Sequence, residues 1–501
     1  MKKIIVRSAV ITAVMLFMLP FSSQALSFHD TYMYDADGRS YSAPVAYTMT
    51  KKLYGEDMGT TSLEKPQDIH IANGNVYIAD TGNNRIVITD EAFHLKKIIE
   101  YGLKDGERSA LNQPYGVFLG LDGLLYICDT GNLRIIALDE QQHIVREIVG
   151  NNLASVNEKF EFKPKKLIVD RDNSIYAVAP DIYQGILHFW ADDEFVGFFA
   201  PNEVEVTFAV QVSNMWKNLF SEKQQEKMEK SLPSPYNNIY QGSERFIYTT
   251  ATKVTAGDEI KCLNTLGTNI LRTPQKANGE VVFGDLQTSY ENGELIISSF
   301  IDLHADEKGL ICALDETRGR LFLYDRECNL VGIFGGKKFY GGSLQEPIAV
   351  EKLGDQYLVL DMATQSLNVY SPTDYICDVL NALTDYNAGY YNDSVEKWEK
   401  VLQQNAHYVL AYRSIGRAYL QKGDYLAAME MLQKGDDQYF YSMALKEYRK
   451  EYLRKNLWWI VIVTVVGIAT LIFAVKRIRK WMLSKKTYRS ASASGNDRID
   501  A

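Results

Sequence analysis

Three copies of a short motif place an aspartate five residues before an arginine. The sequence reads DTGNNR at 80–85 and DTGNLR at 129–134, with a weaker copy, DETRGR, at 315–320. A carboxylate and a guanidinium on either side of a turn could bind an anion or take part in proton transfer. The residues concerned are Asp80, Arg85, Asp129, Arg134, Asp315 and Arg320. Whether they do chemistry depends on where the fold places the copies.

The motif belongs to a longer repeat that reads as strand, turn and strand. Each copy has a glycine six residues before its aspartate, and alternating apolar residues such as VYIAD and RIVITD surround the turn. Units begin near residues 66, 114, 164, 236, 301 and 347, and this spacing suits four-stranded propeller blades. We therefore predict an all-β propeller of six blades. The last unit is one strand short, and the segment 46–55 is expected to supply that strand and close the ring.

The units ADTGNNRI and CDTGNLRI resemble NHL repeats, which form six-bladed propellers. The resemblance extends over roughly residues 42–371; it is strong in blades one and two, fair in blade five and poor in blades three and four. It implies a binding platform more often than an enzyme. Because catalytic groups must converge on one substrate, residues that recur in every blade are held too far apart to cooperate. We therefore interpret the six motif residues as structural: the aspartates accept backbone hydrogen bonds and the arginines bridge strands or blades.

A binding site is expected where the inner strands begin, around the mouth of the central channel. The residues that follow the blade-starting prolines differ from blade to blade, so they could form one asymmetric pocket. Ordinary loop polarity is the alternative explanation. No catalytic residue is predicted. The candidate ligand-binding residues are Glu64, Gln67, Asp68, Tyr115, Lys165, Asp302 and His304, and Lys166 lies beside them.

An enzyme is the alternative function, namely a gluconolactonase-like propeller hydrolase, or a lyase, that acts on a lactone or carbohydrate. In gluconolactonase-like proteins a divalent metal at the channel mouth activates water. Glu64-Lys65-Pro66 resembles the first metal ligand of that family, but the asparagine expected after a later proline is absent from Pro114-Tyr115-Gly116. One matching ligand cannot hold a metal, so neither a metal site nor a cofactor is predicted. A bound divalent cation is left open, and the sequence favours a protein without catalytic activity.

A second repeat, with a period of 34 residues, begins near residue 381. The segment 411–436, AYRSIGRAYLQKGDYLAAMEMLQKGD, resembles the tetratricopeptide repeat, in which small residues let two antiparallel helices pack closely. The resemblance leaves two interpretations open: a peptide-binding groove, or a short helical stalk that leads to the membrane.

The two ends of the sequence contain segments that predict export and membrane insertion. Residues 1–25 combine a basic start, an apolar run and a small-residue cleavage site, as a signal peptide does. Leu457 to Val475 is uncharged and long enough to cross a bilayer, and basic residues follow it. We predict a single-pass protein of the cell membrane with its N-terminal domains outside and its tail in the cytoplasm. The predicted domains are a signal peptide (1–25), an NHL-type propeller (26–372), TPR-like helical repeats (373–455), a transmembrane helix (456–476) and a basic cytoplasmic tail (477–501).

Composition narrows the range of partners. The net charge is −9 although both ends are basic, so the intervening domains are acidic and unsuited to nucleic acid. The five cysteines have no metal-site spacing and are expected to be buried thiols, with one disulfide left open. We expect an extracytoplasmic binding or scaffold protein with a protein partner. Proteins that resemble this combination are associated in Gram-positive bacteria with sugar ABC transport, which makes a transporter subunit a candidate partner and carbohydrate a candidate ligand.

Overall fold

The structure, a computed structural model, describes residues 31–150, 161–179, 182–202, 234–242, 245–251, 258–271, 283–286, 289–291, 294–337 and 343–494. The predicted signal peptide and the end of the predicted tail lie outside these ranges.

Six antiparallel sheets form a six-bladed propeller, as the repeat predicted. A hairpin of β1 (Tyr32–Tyr34) and β2 (Ser40–Ser42) comes first, followed by β3 (Tyr47–Leu53). Blade one contains β4 (Asp68–Ala72), β5 (Asn75–Asp80), β6 (Arg85–Asp90) and β7 (Leu95–Ile99). A second hairpin contains β8 (Tyr101–Lys104) and β9 (Glu107–Ala110). Blade two contains β10 (Pro114–Leu119), β11 (Leu125–Asp129), β12 (Arg134–Leu138) and β13 (Ile144–Val149).

The remaining blades follow the same order from the inner to the outer strand. Blade three contains β14 (Lys166–Val169), β15 (Ile175–Val178), β16 (Ile186–Phe189) and β17 (Phe195–Phe199). The described part of blade four contains β18 (Tyr236–Gln241), β19 (Ile247–Ala251) and β20 (Ile260–Leu263), and a separate hairpin contains β21 (Ser289–Glu291) and β22 (Glu294–Ile296). Blade five contains β23 (Phe300–Ala305), β24 (Ile311–Asp315), β25 (Arg320–Tyr324) and β26 (Leu330–Gly335). Blade six contains β27 (Pro347–Leu353), β28 (Gln356–Asp361) and β29 (Ser366–Pro372).

The ring closes in the predicted way. Strand β3, from the N-terminal part of the chain, pairs antiparallel with β29 and becomes the outer strand of blade six, with Leu53 opposite Leu367 and Tyr47 opposite Pro372. The inner strands β4 and β27 are also in contact, so the first and last blades are neighbours. Closure buries the apolar faces that blades one and six would otherwise expose.

The hydrophobic core lies between the blades rather than within one layer. Val87 of blade one and Leu358 of blade six are fully buried in a shared cluster. The middle strands therefore read as nearly continuous apolar runs, because both faces of each sheet are covered. All five cysteines are free thiols, and only Cys377 is partly exposed.

A helical segment follows the propeller and packs against blade five. Its helices are α1 (Asp374–Asn387), α2 (Tyr391–Gln404), α3 (Val409–Lys422), α4 (Tyr425–Lys434) and α5 (Gln438–Ser494). Trp398 and Tyr408 are buried in the same core as Phe334 of β26, and the Tyr408 hydroxyl donates to the Val331 carbonyl at 2.7 Å. The helices and the propeller therefore share one core.

Two local features explain how these helices pack. The Thr373 hydroxyl caps α1 by accepting from the Ile376 N–H, and it also donates to the Val45 carbonyl at 2.6 Å, beside β3. In α3, a Cβ on Gly416 would lie 2.6 Å from Cγ of Leu432, so only glycine permits the close approach to α4.

The last helix, α5, is 57 residues long, which corresponds to roughly 85 Å. It is long and apolar enough to cross a membrane, and its apolar window is not buried against the rest of the protein. A candidate membrane-spanning helix therefore follows the helical segment directly.

Candidate functional site

The strand register places one residue of each inner strand at the same level of the central channel. The first level contains Asp68, Gly116, Lys166, Asn238, Asp302 and Ala349. Two residues further along each strand, the second level contains His70, Phe118, Ile168, Tyr240, His304 and Glu351. Because alternate residues of a strand share a face, both levels belong to the channel wall.

A lysine bridges two aspartates at the first level. Nζ of Lys166, from blade three, lies 2.7 Å from Oδ1 of Asp302 in blade five and 3.2 Å from Oδ1 of Asp68 in blade one. The two carboxylates are almost completely buried, while 19% of the Lys166 side chain remains exposed. The ammonium group therefore occupies the space between two carboxylates of blades that are not neighbours.

Each of these aspartates also binds the backbone of the following blade. Oδ2 of Asp68 accepts from the Val117 N–H at 3.0 Å, and Oδ2 of Asp302 accepts from the Val350 N–H at 2.8 Å. Gly116 faces the third blade, where a Cβ would lie 2.5 Å from the Lys165 carbonyl oxygen. The first level is thus both an ionic cluster and a set of links between blades.

Burial dominates the protonation equilibria at this level. Burial raises the pKa of Asp302 to about 6 and also raises the pKa of Asp68, although Lys166 opposes both shifts. Burial by itself would lower the pKa of Lys166, but Asp302 and Asp68 raise it overall. The lysine therefore stays charged, and Asp302 is the group of this cluster whose raised pKa, about 6, lets it gain a proton in mildly acidic solution.

The second level holds a glutamate between two histidines. Oε2 of Glu351 lies 2.8 Å from Nδ1 of His304, and Oε1 lies 3.8 Å from Nδ1 of His70. The Tyr240 hydroxyl lies 2.9 Å from the same His304 nitrogen. Burial tends to raise the pKa of Glu351, but the histidine contacts outweigh it and lower the pKa to about 2. Glu351 is therefore a buried carboxylate, not a proton donor.

Three side chains of the channel wall have polar atoms without hydrogen-bond partners in the described part of the chain, and one of these atoms is Oδ1 of Asp68, which has only the ion pair with Lys166. Neither amide atom of the fully buried Asn238 has a partner, and Nε2 of His70 also lacks one. The Phe118 ring packs on His70 at a centroid distance of 4.7 Å. Buried polar atoms of this kind are commonly satisfied by ordered water.

The predicted mouth residues lie one position before the first level. Gln67, Tyr115 and Lys165 each follow the proline that begins a blade, and all three are at least partly exposed. Nζ of Lys165 lies 5.3 Å from the centre of the Tyr115 ring, and Nε2 of Gln67 contacts Sδ of Met362 at 2.9 Å. These residues form the rim of the channel, with the ionic cluster beneath them.

Glu64 lies in the loop that enters blade one and does not take part in the ionic cluster. Its side chain is exposed, and its N–H donates to Oδ1 of Asp80 at 2.7 Å. Among the described residues, no group of three or more His, Cys, Asp and Glu side chains is arranged to hold a metal ion. We therefore derive no metal-assisted step for this site.

The repeated motif forms a buried ion pair in blades one and two. Nε of Arg85 donates to Oδ2 of Asp80 at 2.7 Å, and Arg134 repeats this contact with Asp129 at the same distance. Each aspartate also accepts from the loop that enters its own blade, at the N–H of Glu64 and Asn112 respectively. The motif therefore fixes the entry loop of the blade.

Blade five departs from this arrangement, although Asp315 and Arg320 are opposite each other in the strand register. Asp315 keeps the contact with the entry loop by accepting from the Ser299 N–H at 2.9 Å, but its Oδ2 has no hydrogen-bond partner in the described ranges. Nη1 of Arg320 instead donates to Asp285 at 2.7 Å, and its guanidinium packs on the Tyr32 ring of the N-terminal hairpin. Blade five therefore lacks the aspartate–arginine contact of blades one and two, because Arg320 is engaged by Asp285 and Tyr32.

Comparisons with known proteins give a likeness of fold. No protein-family model matches the chain, and no curated protein matches it. A streptogramin B lyase structure is 12% identical, with a TM-score of 0.39 over 66% of this chain and 98% of the other. An inactive virginiamycin B lyase variant from Staphylococcus aureus with quinupristin is 12% identical, with a TM-score of 0.38 over 70% and 97%. A gluconolactonase-like protein is 12% identical, with a TM-score of 0.37 over 66% and 94%. This likeness carries no argument about activity.

Sequence reasoning identified part of the channel wall and missed the rest. Asp68 and Asp302 do meet, through Lys166, and His304 lies one level below them. Tyr240 and Glu351 were missed because their inner strands lie in a degenerate blade and in a blade with an apolar start. Both residues lie four positions after the start of their blade, at residues 236 and 347, so a count from each blade start would have found them.

Proposed function

We propose that the chain is a membrane-anchored binding protein that presents the rim of the propeller channel to a protein or small ligand. The observation that carries this proposal is the shared core of blade five and helices α1 to α3, which is followed by an exposed apolar helix. Such an arrangement fixes the propeller relative to a membrane. The NHL and tetratricopeptide resemblances and the extracytoplasmic orientation belong to the same proposal.

The channel chemistry supports binding over catalysis. Lys166 and Asp302 contact each other, and Glu351 contacts His304, so these charged groups are engaged with one another. A catalytic group needs an open position beside the reacting atom. The rim residues Gln67, Tyr115 and Lys165 are accessible and differ in chemistry, as expected for a surface that recognises one partner.

The helical segment supports the stalk interpretation more than the peptide groove. Arg417 of α3 donates to Glu327 of blade five at 2.6 Å, and Tyr375 and Tyr408 are buried in the core shared with the propeller. These side chains are engaged by the propeller. We therefore place the partner at the rim, where a transporter subunit is the first candidate and a carbohydrate stays an open ligand class.

Site-specific photo-cross-linking of the full chain in its native membrane tests this proposal. A photoreactive residue at Tyr115 should give a discrete cross-linked product, whereas the same residue at Leu121 should not. Leu121 is 75% exposed and follows the inner strand of the same blade, at the opposite end of the channel. Equal labelling from both positions, or no product from Tyr115, would contradict binding at the rim.

Metal analysis of the purified full chain tests the hydrolase alternative separately. Stoichiometric calcium or zinc that is lost on Glu64→Gln substitution would favour the metal-dependent enzyme over the binding protein. A metal content that is unaffected by this substitution would leave Glu64 as a loop residue.

A further inference from the structure

The part of α5 that precedes the apolar segment carries a basic face. Arg449 and Lys450 lie three and four residues after Lys446, and Arg454 lies four residues after Lys450, so the four residues lie on one side of the helix. All four side chains are exposed. We refer to these four residues as the basic stripe.

Neighbouring acidic residues do not neutralise this stripe. Glu447 contacts Lys450 at 2.5 Å, and Glu451 contacts Lys455, which lies outside the stripe, at 2.6 Å. Exposed pairs of this kind are weak in water. In the described part of the chain Lys446, Arg449 and Arg454 have no ion-pair partner, so the stripe keeps an excess of positive charge.

The helix itself indicates what faces the stripe. Without a break, α5 continues into the apolar segment that starts at Leu457, and Trp458 and Trp459 are 79% and 69% exposed. Tryptophan side chains favour the membrane interface, which sets the depth of the helix. The headgroup layer of the bilayer is therefore the surface nearest to the stripe.

We propose that the basic stripe binds the phosphate groups of anionic phospholipids. Arg454 lies three residues before Leu457, or about 4.5 Å along the axis, whereas Lys446 lies about 16 Å away. Headgroup layers are roughly 5–7 Å thick, and the electrostatic screening length at physiological salt is about 8 Å. Lipid selectivity should therefore depend most on Arg454 and least on Lys446. This inference does not depend on the proposed function or on the direction in which α5 crosses the membrane.

The selectivity of the protein-associated lipid layer tests the proposal. The full chain is placed in phosphatidylcholine nanodiscs with a trace of spin-labelled phosphatidylglycerol or phosphatidylcholine, and the two association constants are compared. Each cation at the surface can change this ratio by up to about fivefold. K446Q/R449Q/K450Q/R454Q should lower the preference for phosphatidylglycerol several-fold, R454Q should account for the largest part, and K446Q for the smallest.

Two controls distinguish the stripe from other sources of selectivity. E447Q/E451Q removes two negative charges from the adjacent face of the same helix and should raise the preference rather than lower it. The basic residues after Val475 are unchanged in every variant, so their contribution is constant. An unchanged preference in the four-residue variant would overturn the proposal and leave the stripe available to a protein partner. Inorganic phosphate and sodium chloride of the same ionic strength should lower the preference for phosphatidylglycerol equally. A larger decrease with phosphate would indicate a site for free anions instead.

Discussion

The motif turns and the channel levels both bury charged pairs, but they connect different parts of the molecule. Arg85 reaches an aspartate five residues away in its own blade, whereas Lys166 reaches Asp302 across 136 residues and two blades. The repeated residues thus build each blade, whereas the channel residues join one blade to another: Lys166 joins blades that are not neighbours, and Glu351 joins neighbouring blades. Blade five is intermediate, because its arginine has left the turn and holds the N-terminal hairpin.

The largest expected effect tests the links between blades. Lys166→Met would leave the buried Asp68 and Asp302 without a counter-ion, and we expect a loss of about 4–5 kcal/mol in the free energy of unfolding. Denaturant unfolding of the full chain in detergent measures it. Lys165→Met is the matched control, since that neighbouring lysine is exposed. Similar losses in the two variants would mean that the channel cluster does not hold the blades together.

The second prediction compares the turn of blade one with that of blade five. Arg85→Ala removes the ion-pair partner of a fully buried carboxylate and should cost about 3 kcal/mol. Arg320→Ala should cost about 1 kcal/mol, because this arginine is partly exposed and Arg318 still contacts Asp285. The same unfolding measurement applies to both. Equal losses would mean that the turns of blades one and five are equally stabilising despite their different contacts.

The pH dependence of stability separates the two channel levels. The folded pKa of Asp302, about 6, lies above its unfolded value, so the folded state holds the extra proton and stability falls as pH rises from about 4 to 6. The folded pKa of Glu351, about 2, lies below its unfolded value, so its contribution is present above about pH 4.5 and is lost as pH falls towards 2.

In wild type, the free energy of unfolding should fall by roughly 2–3 kcal/mol as pH rises from 4 to 6, and Asp302→Asn should remove this fall. Glu351→Gln should remove a rise of similar size in the free energy of unfolding as pH rises from about 2 to 4.5. Thermal unfolding of the full chain across this pH range, as the difference from wild type, gives both slopes. If both variants change the profile in the same direction, the assignment of opposite shifts to the two levels is wrong.

The smallest expected effect concerns the contact between neighbouring blades at the motif turn. The Thr81 hydroxyl donates to the Pro114 carbonyl at 2.6 Å, and Thr130 repeats this contact with Pro164 at 2.5 Å. Thr81→Val should cost about 1 kcal/mol. Thr60→Val is the control, because the buried Thr60 hydroxyl has no hydrogen-bond partner in the described residues and its loss should not destabilise the protein. A larger cost for Thr60 would contradict this assignment.

The fold was predictable because the repeat fixes local geometry. The glycine before each motif and the aspartate that binds the entry loop act within one blade, so the sequence spacing reveals them. The partners of Arg320 were not predictable, since Asp285 and Tyr32 lie 35 and 288 residues from it in the sequence and reach it only in the tertiary fold. Likewise, the meeting of Lys166 with Asp302 depends on the diameter of the ring, which no single repeat encodes.

Closure of the ring by β3 has a consequence for the order of folding. Thr50 of β3 contacts Ser371 of β29 at 2.9 Å across 321 residues, so this contact has one of the longest loops in the chain to close. Long-range pairing of this kind is slow, because the entropy of loop closure must be overcome before the contact forms. Strand β3 is thus synthesised early but joins its sheet late. Helix α1 is incorporated with it, because Thr373, which caps α1, donates to the Val45 carbonyl beside β3. Deletion of β3 should therefore leave an open-edged and aggregation-prone chain.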